Sequence, residues 1–186
     1  MKMFGRCGRA LAAVAAAAGL VIAGAGVAHA GLRQYQDGFE DNPGAAWAIT
    51  RTGSGEAGFD FGLGNARSAR NNGWLHSGYS LASAATEEIR VPTGSGGRSD
   101  CVAQVYANPL NNRTTAIEVY VYNSAGTLLT SSIRGLSFTG YQAVQSNQFV
   151  LYGYQTVMVR FRLYDSGRGY DGEWLRLDDF TLTCSY

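Results

Sequence analysis

The sequence predicts an all-β sandwich of about eight to ten strands, and three observations carry that reading. Apolar and polar residues alternate with a period of two in several runs, and clusters of Gly, Asn and Ser interrupt the chain at short intervals. After the first thirty residues, no segment of helical length keeps the 3.6-residue apolar period of an amphipathic helix. The nearest, residues 79–88, is short and serine-rich. With 25 Gly, 3 Pro and 46% hydrophobic residues the chain is no disordered polar tail, and its glycines and aromatics suit turns and strands.

Residues 1–30 stand apart. Residues 1–9 are short and positive, residues 10–27 are apolar and built mostly from Ala, Gly, Val and Leu, and Ala28-His29-Ala30 places small residues where a signal peptidase reads them. A secretory signal cleaved before Gly31 is expected. A retained anchor is the alternative, since such a run could just span a bilayer, but its Ala/Gly character and the cleavage box favour removal. Cys7 precedes the apolar run, the wrong place for a lipid-modified cysteine at a new N-terminus. Residues 31–186 are then one exported domain, without internal repeat or low-complexity linker. It is expected to be extracellular, monomeric and not inserted in a membrane.

Within that domain, residues 34–40, 47–51 and 88–91 read as strands, followed by 101–107. Ala116, Glu118, Tyr120 and Tyr122 take one face of the next run while Ile117, Val119 and Val121 take the other. Asn123-Ser-Ala-Gly126 then turns the chain into residues 127–133 as a β-hairpin with a four-residue loop. Residues 148–152, 156–164 and 174–183 complete the set. In residues 157–164, Val157, Val159, Phe161 and Leu163 form an apolar face opposite Arg160 and Arg162, so one side packs inward and the other meets solvent.

Charge and cysteine count narrow the class. Lys2, Arg6 and Arg9 lie in the leader, so the domain carries twelve Arg, no Lys and 14 acids, a formal charge of −2. A near-neutral surface argues against a nucleic-acid partner, whose binding is dominated by cationic contacts to phosphate, and the missing lysine removes Schiff-base and P-loop chemistry. Two cysteines remain, Cys101 and Cys184, an even number in an oxidising compartment; a disulfide is the default reading. Free buried thiols are the alternative. A metal site is poorer, because His76 is the only histidine left to complete a tetrahedral shell.

Gln36-Asp-Gly-Phe-Glu-Asp41 followed by Trp47, and Trp174-Leu-Arg-Leu-Asp-Asp-Phe-Thr-Leu182 near the other end, resemble the opening and closing motifs of secreted carbohydrate-binding jelly-roll modules of the galactose-binding-like superfamily. Gly64-Asn-Ala-Arg-Ser-Ala-Arg-Asn-Asn-Gly-Trp-Leu75 is similar to their Gly/Ala/Ser-rich second segment. The resemblance spans residues 37–182 through short, degenerate motifs, and it implies a jelly roll of two antiparallel sheets. It also implies a structural calcium, with Glu40, Asp178 and Asp179 at the matching ligand positions. The chemistry is reasonable, since a hard cation taking 6–8 oxygens relieves the repulsion of carboxylates brought together by the terminal strands. The alternative is that these acids are solvated or accept hydrogen bonds from backbone and Arg groups. The loop of residues 165–173 is a weaker candidate without EF-hand spacing.

Binding is better supported than catalysis. His76 has no G-x-S-x-G nucleophile elbow nearby, adjacent Glu87 and Glu88 in a strand point to opposite faces, and nothing selects a catalytic carboxylate couple. Sugar rings stack their C–H faces on flat aromatics while their hydroxyls need amide, carboxylate or guanidinium partners. Trp74 and Tyr79, with Arg67, Arg70, Asn71, Asn72 and His76, form the strongest such constellation. Trp47 and Trp174 are expected in the core, and Tyr120 and Tyr122 are a further surface possibility. The leading expectation is a secreted, non-catalytic module for a polysaccharide or other glycan. A secreted structural or protein-interaction domain, binding a secreted or cell-envelope protein, is the second; a small glycan-active hydrolase or lyase is the third.

Overall fold

Two antiparallel sheets form when the alternating runs pair. The computed structural model describes residues 31–51, 55–77, 82–86, 89–91, 97–110, 115–153, 155–164 and 172–185. The leader, Tyr79, Glu87, Glu88 and residues 165–171 lie outside the described residues. The strands are β1 Leu32–Asp37, β2 Trp47–Arg51, β3 Glu56–Phe61, β4 Asn71–His76, β5 Ala82–Thr86, β6 Ile89–Val91, β7 Arg98–Pro109, β8 Thr115–Asn123, β9 Leu128–Leu136, β10 Gln142–Gln145, β11 Phe149–Tyr152, β12 Gln155–Tyr164 and β13 Trp174–Ser185; a four-residue helix, α1 Pro43–Ala46, precedes β2.

This is more strands than the eight to ten expected. β3, β4, β5 and β10 escaped the sequence pattern for identifiable reasons. β4 opens with Asn-Asn-Gly, which reads as a turn, and β5, Ala-Ser-Ala-Ala-Thr, is built from small residues with little β propensity. β10 has four residues, and β3 carries Gly58 in its interior.

β7 and β13 are the spine of the seven-stranded sheet, whose order is β10-β7-β13-β4-β3. β11 continues the β10 edge along β7, and β1 pairs with the second half of β13 where β4 pairs with its first half. The changeover is a β-bulge: the β13 register on β7 shifts between Asp178 and Thr181, and Asp179 takes a left-handed φ of 47°. The extra residue lets Leu177 and Asp178 both face inward. The six-stranded sheet runs β2-β5-β12-β8-β9, with β6 beside β5 on β12. The hairpin between β8 and β9 forms as the sequence predicts. Asn123 Oδ1 accepts from the amides of Ala125 and Thr127, and the Gly126 amide donates to Asn123 O, with Gly126 at φ 78°.

The core lies between the sheets. Val157, Val159, Phe161 and Leu163 of β12 and Ile117, Val119 and Val121 of β8 are fully buried and meet Ala103, Val105, Leu175, Leu177, Phe180 and Leu182 from the other layer. Phe39, Trp47, Phe161 and Phe180 pack ring against ring at 5.0–5.7 Å. The buried Trp47 indole donates to Asp37 Oδ2 at 2.7 Å, so its polar edge is satisfied. Cys101 and Cys184, cross-strand partners on β7 and β13, form the expected disulfide with Cα atoms 4.1 Å apart, closing a separation of 83 residues.

Candidate functional site

The solvent side of the seven-stranded sheet follows from burial. Leu175 and Leu177 of β13 point inward, so Trp174 and Arg176 point out; Leu75 of β4 points inward, so Trp74 and His76 point out. Register then gathers them, because Trp174 stands opposite His76 and Arg176 opposite Trp74. The His76 ring stacks on Trp174 at 4.2 Å, 22° between planes, and the two indoles lie diagonally at 5.3 Å. The expectation that Trp174 is a core residue is therefore corrected: only Trp47 of the two is buried, and Trp174 is partly exposed. Its alternation with Leu175 and Leu177 was the available signal.

β3 frames the cluster. Gly58 stands opposite Trp74, and a Cβ there would lie 2.6 Å from Trp74 Cζ2, so the indole covers β3 only because this residue is glycine. Two positions on, Asp60 reaches across to Arg176, with 3.7 Å between Oδ2 and Nε, and accepts a long bond of 3.5 Å from the Asn72 side-chain amide. Asn72 itself is buried and also donates to Gly73 O. Glu56 faces His76 across the ladder. Tyr141, between β9 and β10, donates its hydroxyl to Asn65 O at 2.9 Å, tying two loops together near the same face. Burial, and then the nearby Asp178 carboxylate, hold its phenol well above the ordinary tyrosine range.

The other expected ligand residues lie in and beside the loop that leads into β4. The Arg67 guanidinium lies 3.6 Å over the Tyr106 ring and is ion-paired with Asp179, and Ser68 Oγ donates to the same carboxylate. The amides of Arg67 and Ser68 donate to Asp178 Oδ2 at 2.6 and 3.1 Å, and that of Asp179 to Oδ1 at 2.8 Å. Burial raises the Asp178 pKa above the usual carboxylate range, with these amides opposing the shift. Glu40 Oε1 accepts from the amides of Arg70 and Asn71 at 2.9 and 2.7 Å, while Asn71 Nδ2 returns a bond to Glu40 O. Arg70 is exposed. Tyr79 lies outside the described residues.

Glu40, Asp178 and Asp179 thus surround the loop of residues 67–71, with N–H and O–H groups of this chain on their oxygens. Among the described residues, no three His, Cys, Asp or Glu side chains are grouped as a metal shell requires.

The site offers two indoles, an imidazole and a paired Arg–Asp set on a solvent-facing sheet. That combination supplies flat apolar faces with planar hydrogen-bonding groups beside them.

No protein-family model matches the chain, and no curated protein matches it in sequence. Solved structures do match its fold. A family 61 carbohydrate-binding module in complex with β-1,4-galactotriose superposes with a TM-score of 0.56 at 15% identity, over 78% of this chain and 92% of that one. The family 22 xylan-binding domain of Xyn10C from Paenibacillus barcinonensis gives 0.50 at 9% identity, over 81% and 92%. An arabinose-bound family 51 α-L-arabinofuranosidase gives 0.51 at 13% identity over 75% of this chain, which spans only 23% of that enzyme. The chain has the jelly-roll sandwich of carbohydrate-binding modules.

Proposed function

We propose that this chain is a secreted, non-catalytic carbohydrate-binding domain that holds a glycan across the outer face of its seven-stranded sheet. Trp74 and Trp174 stack on the C–H faces of successive or neighbouring sugar rings, His76 steadies Trp174, and Arg176 and Asp60 meet ring hydroxyls. The observation that carries this reading is the solvent-facing Trp74–Trp174–His76 cluster. The likeness in fold to carbohydrate-binding modules supports it but does not pass on their ligands. Aromatic stacking beyond simple burial is worth about 0.5–1.5 kcal/mol per pair, so losing one indole is expected to weaken binding several-fold and losing both to abolish it.

The test is retention on a panel of insoluble polysaccharides and on a glycan array, using wild type, Trp74→Ala, Trp174→Ala and the double variant, with folding checked by circular dichroism. Retention that falls in the order wild type, single, double supports the reading. A folded wild type that passes the whole panel unretained refutes it. Capture of a secreted or cell-envelope protein, unaffected by free sugars, would replace it with an interaction domain on the same fold.

A further inference from the structure

A pocket of about 410 Å³ opens on the same sheet, where β1 takes over from β4 beside β13. Small-molecule sites run from about 300 to 1,000 Å³, so this volume suits one sugar ring. Its floor is sheet: Gln36 of β1 stands opposite Thr181 of β13, and because Phe180 and Leu182 point into the core, Thr181 points outward. Tyr106 of β7 and the loop residues Arg67 and Ser68 form the wall.

The lining carries one guanidinium, Arg67, against two carboxylates, Asp37 and Asp179. Arg67 is paired with Asp179 and lies on Tyr106, and Asp179 also accepts from Ser68 Oγ. Asp37, at the rim, spends its carboxylate on the Phe39 amide and the Trp47 indole. The Gln36 amide, the Thr181 and Tyr106 hydroxyls and the remaining Arg67 N–H groups are left to meet a ligand. The wall is also fixed in advance, since the amides of Arg67 and Ser68 are bonded to the buried Asp178, which lowers the ordering cost of binding.

We propose that this pocket is a second subsite, separate from the Trp74–Trp174 platform, that takes one neutral, hydroxyl-rich ring and rejects uronates and sulfated sugars. The proposal rests on the carbohydrate-binding reading above. An anionic ring would meet the carboxylates of Asp37 and Asp179 with one guanidinium, already paired, to offset them, and this like-charge repulsion disfavours it.

The experiment is a backbone-amide NMR titration of the folded domain with methyl pyranosides of neutral sugars and with a methyl glucuronide, run beside the polysaccharide retention assay. Shifts centred on Gln36, Ser68 and Thr181 are expected with a neutral pyranoside. They should be retained in Trp174→Ala, lost in Gln36→Ala/Thr181→Val, and at least about tenfold weaker for the glucuronide. An equal response to the glucuronide overturns the neutral preference. Unmoved pocket amides with every pyranoside, while the wild type is still retained on a polysaccharide, overturn the subsite alone. Loss of retention in the folded wild type as well overturns the reading beneath it.

Discussion

Trp74 lies across Gly58, on the neighbouring strand, with its Cζ2 atom 2.6 Å from where the first side-chain carbon of any other residue would stand. The platform for a sugar ring is therefore set by a residue that contributes no side chain. Gly58→Ala is expected to push the indole outward and cost about 1–3 kcal/mol. Polysaccharide retention should weaken although no aromatic has been removed. Retention equal to wild type would mean that the Trp74 ring position is immaterial to binding.

Alkaline stability should depend on Tyr141. Burial, then the Asp178 carboxylate, raise its pKa in the folded state. Below the unfolded value of about 10 both states keep the proton and the stabilisation is intact. As pH rises from there toward the raised folded value, only the unfolded chain ionises and stability is lost. Tyr141→Phe removes this contribution and should flatten the fall in Tm above about pH 10. An unchanged slope would show that the phenol is not held neutral by the fold.

Cys101 and Cys184 join the two spine strands and close a separation of 83 residues. The chain-entropy account values such a loop at about 4–5 kcal/mol, as an upper figure. Replacing both cysteines with alanine should lower the urea midpoint by a corresponding amount, with less change in the strand signal by circular dichroism before unfolding. A midpoint within error of wild type would remove the disulfide from the account of stability.

The acids expected to hold calcium accept bonds from the loop of residues 67–71. Calorimetric melting with calcium and then with chelator is expected to give one Tm, while Arg67→Ala, which unpairs Asp179 and uncovers Tyr106, lowers it by a few degrees. A clear rise in Tm with calcium would identify a cation shell around Glu40, Asp178 and Asp179.

Much of the sandwich was legible because apolar alternation is a direct image of burial in a sheet with one wet face. β8 and β12 bury the residues that their period of two selects, and the turn at Asn123–Gly126 is written in its own side chains. β4 was less legible, because Asn71-Asn72-Gly73 has the composition of a turn and becomes a strand only by pairing on both sides, with β3 and β13. For the same reason the site was half visible. Trp74 and His76 stood out in the sequence, but their partners Trp174, Arg176 and Asp60 come from strands remote in sequence and meet them through register. Arg67 stood out as well, but its partner Asp179 comes from the bulge of β13, remote in sequence.

The proposed glycan site rests on Trp74 and Trp174. The chain has three tryptophans, so the indole N–H signals in a heteronuclear NMR spectrum give one reporter for each. Titration with a soluble oligosaccharide of whichever polysaccharide retains the protein should move the Trp74 and Trp174 signals and leave that of buried Trp47 in place. Saturable binding with the Trp74 and Trp174 signals unmoved would contradict the account.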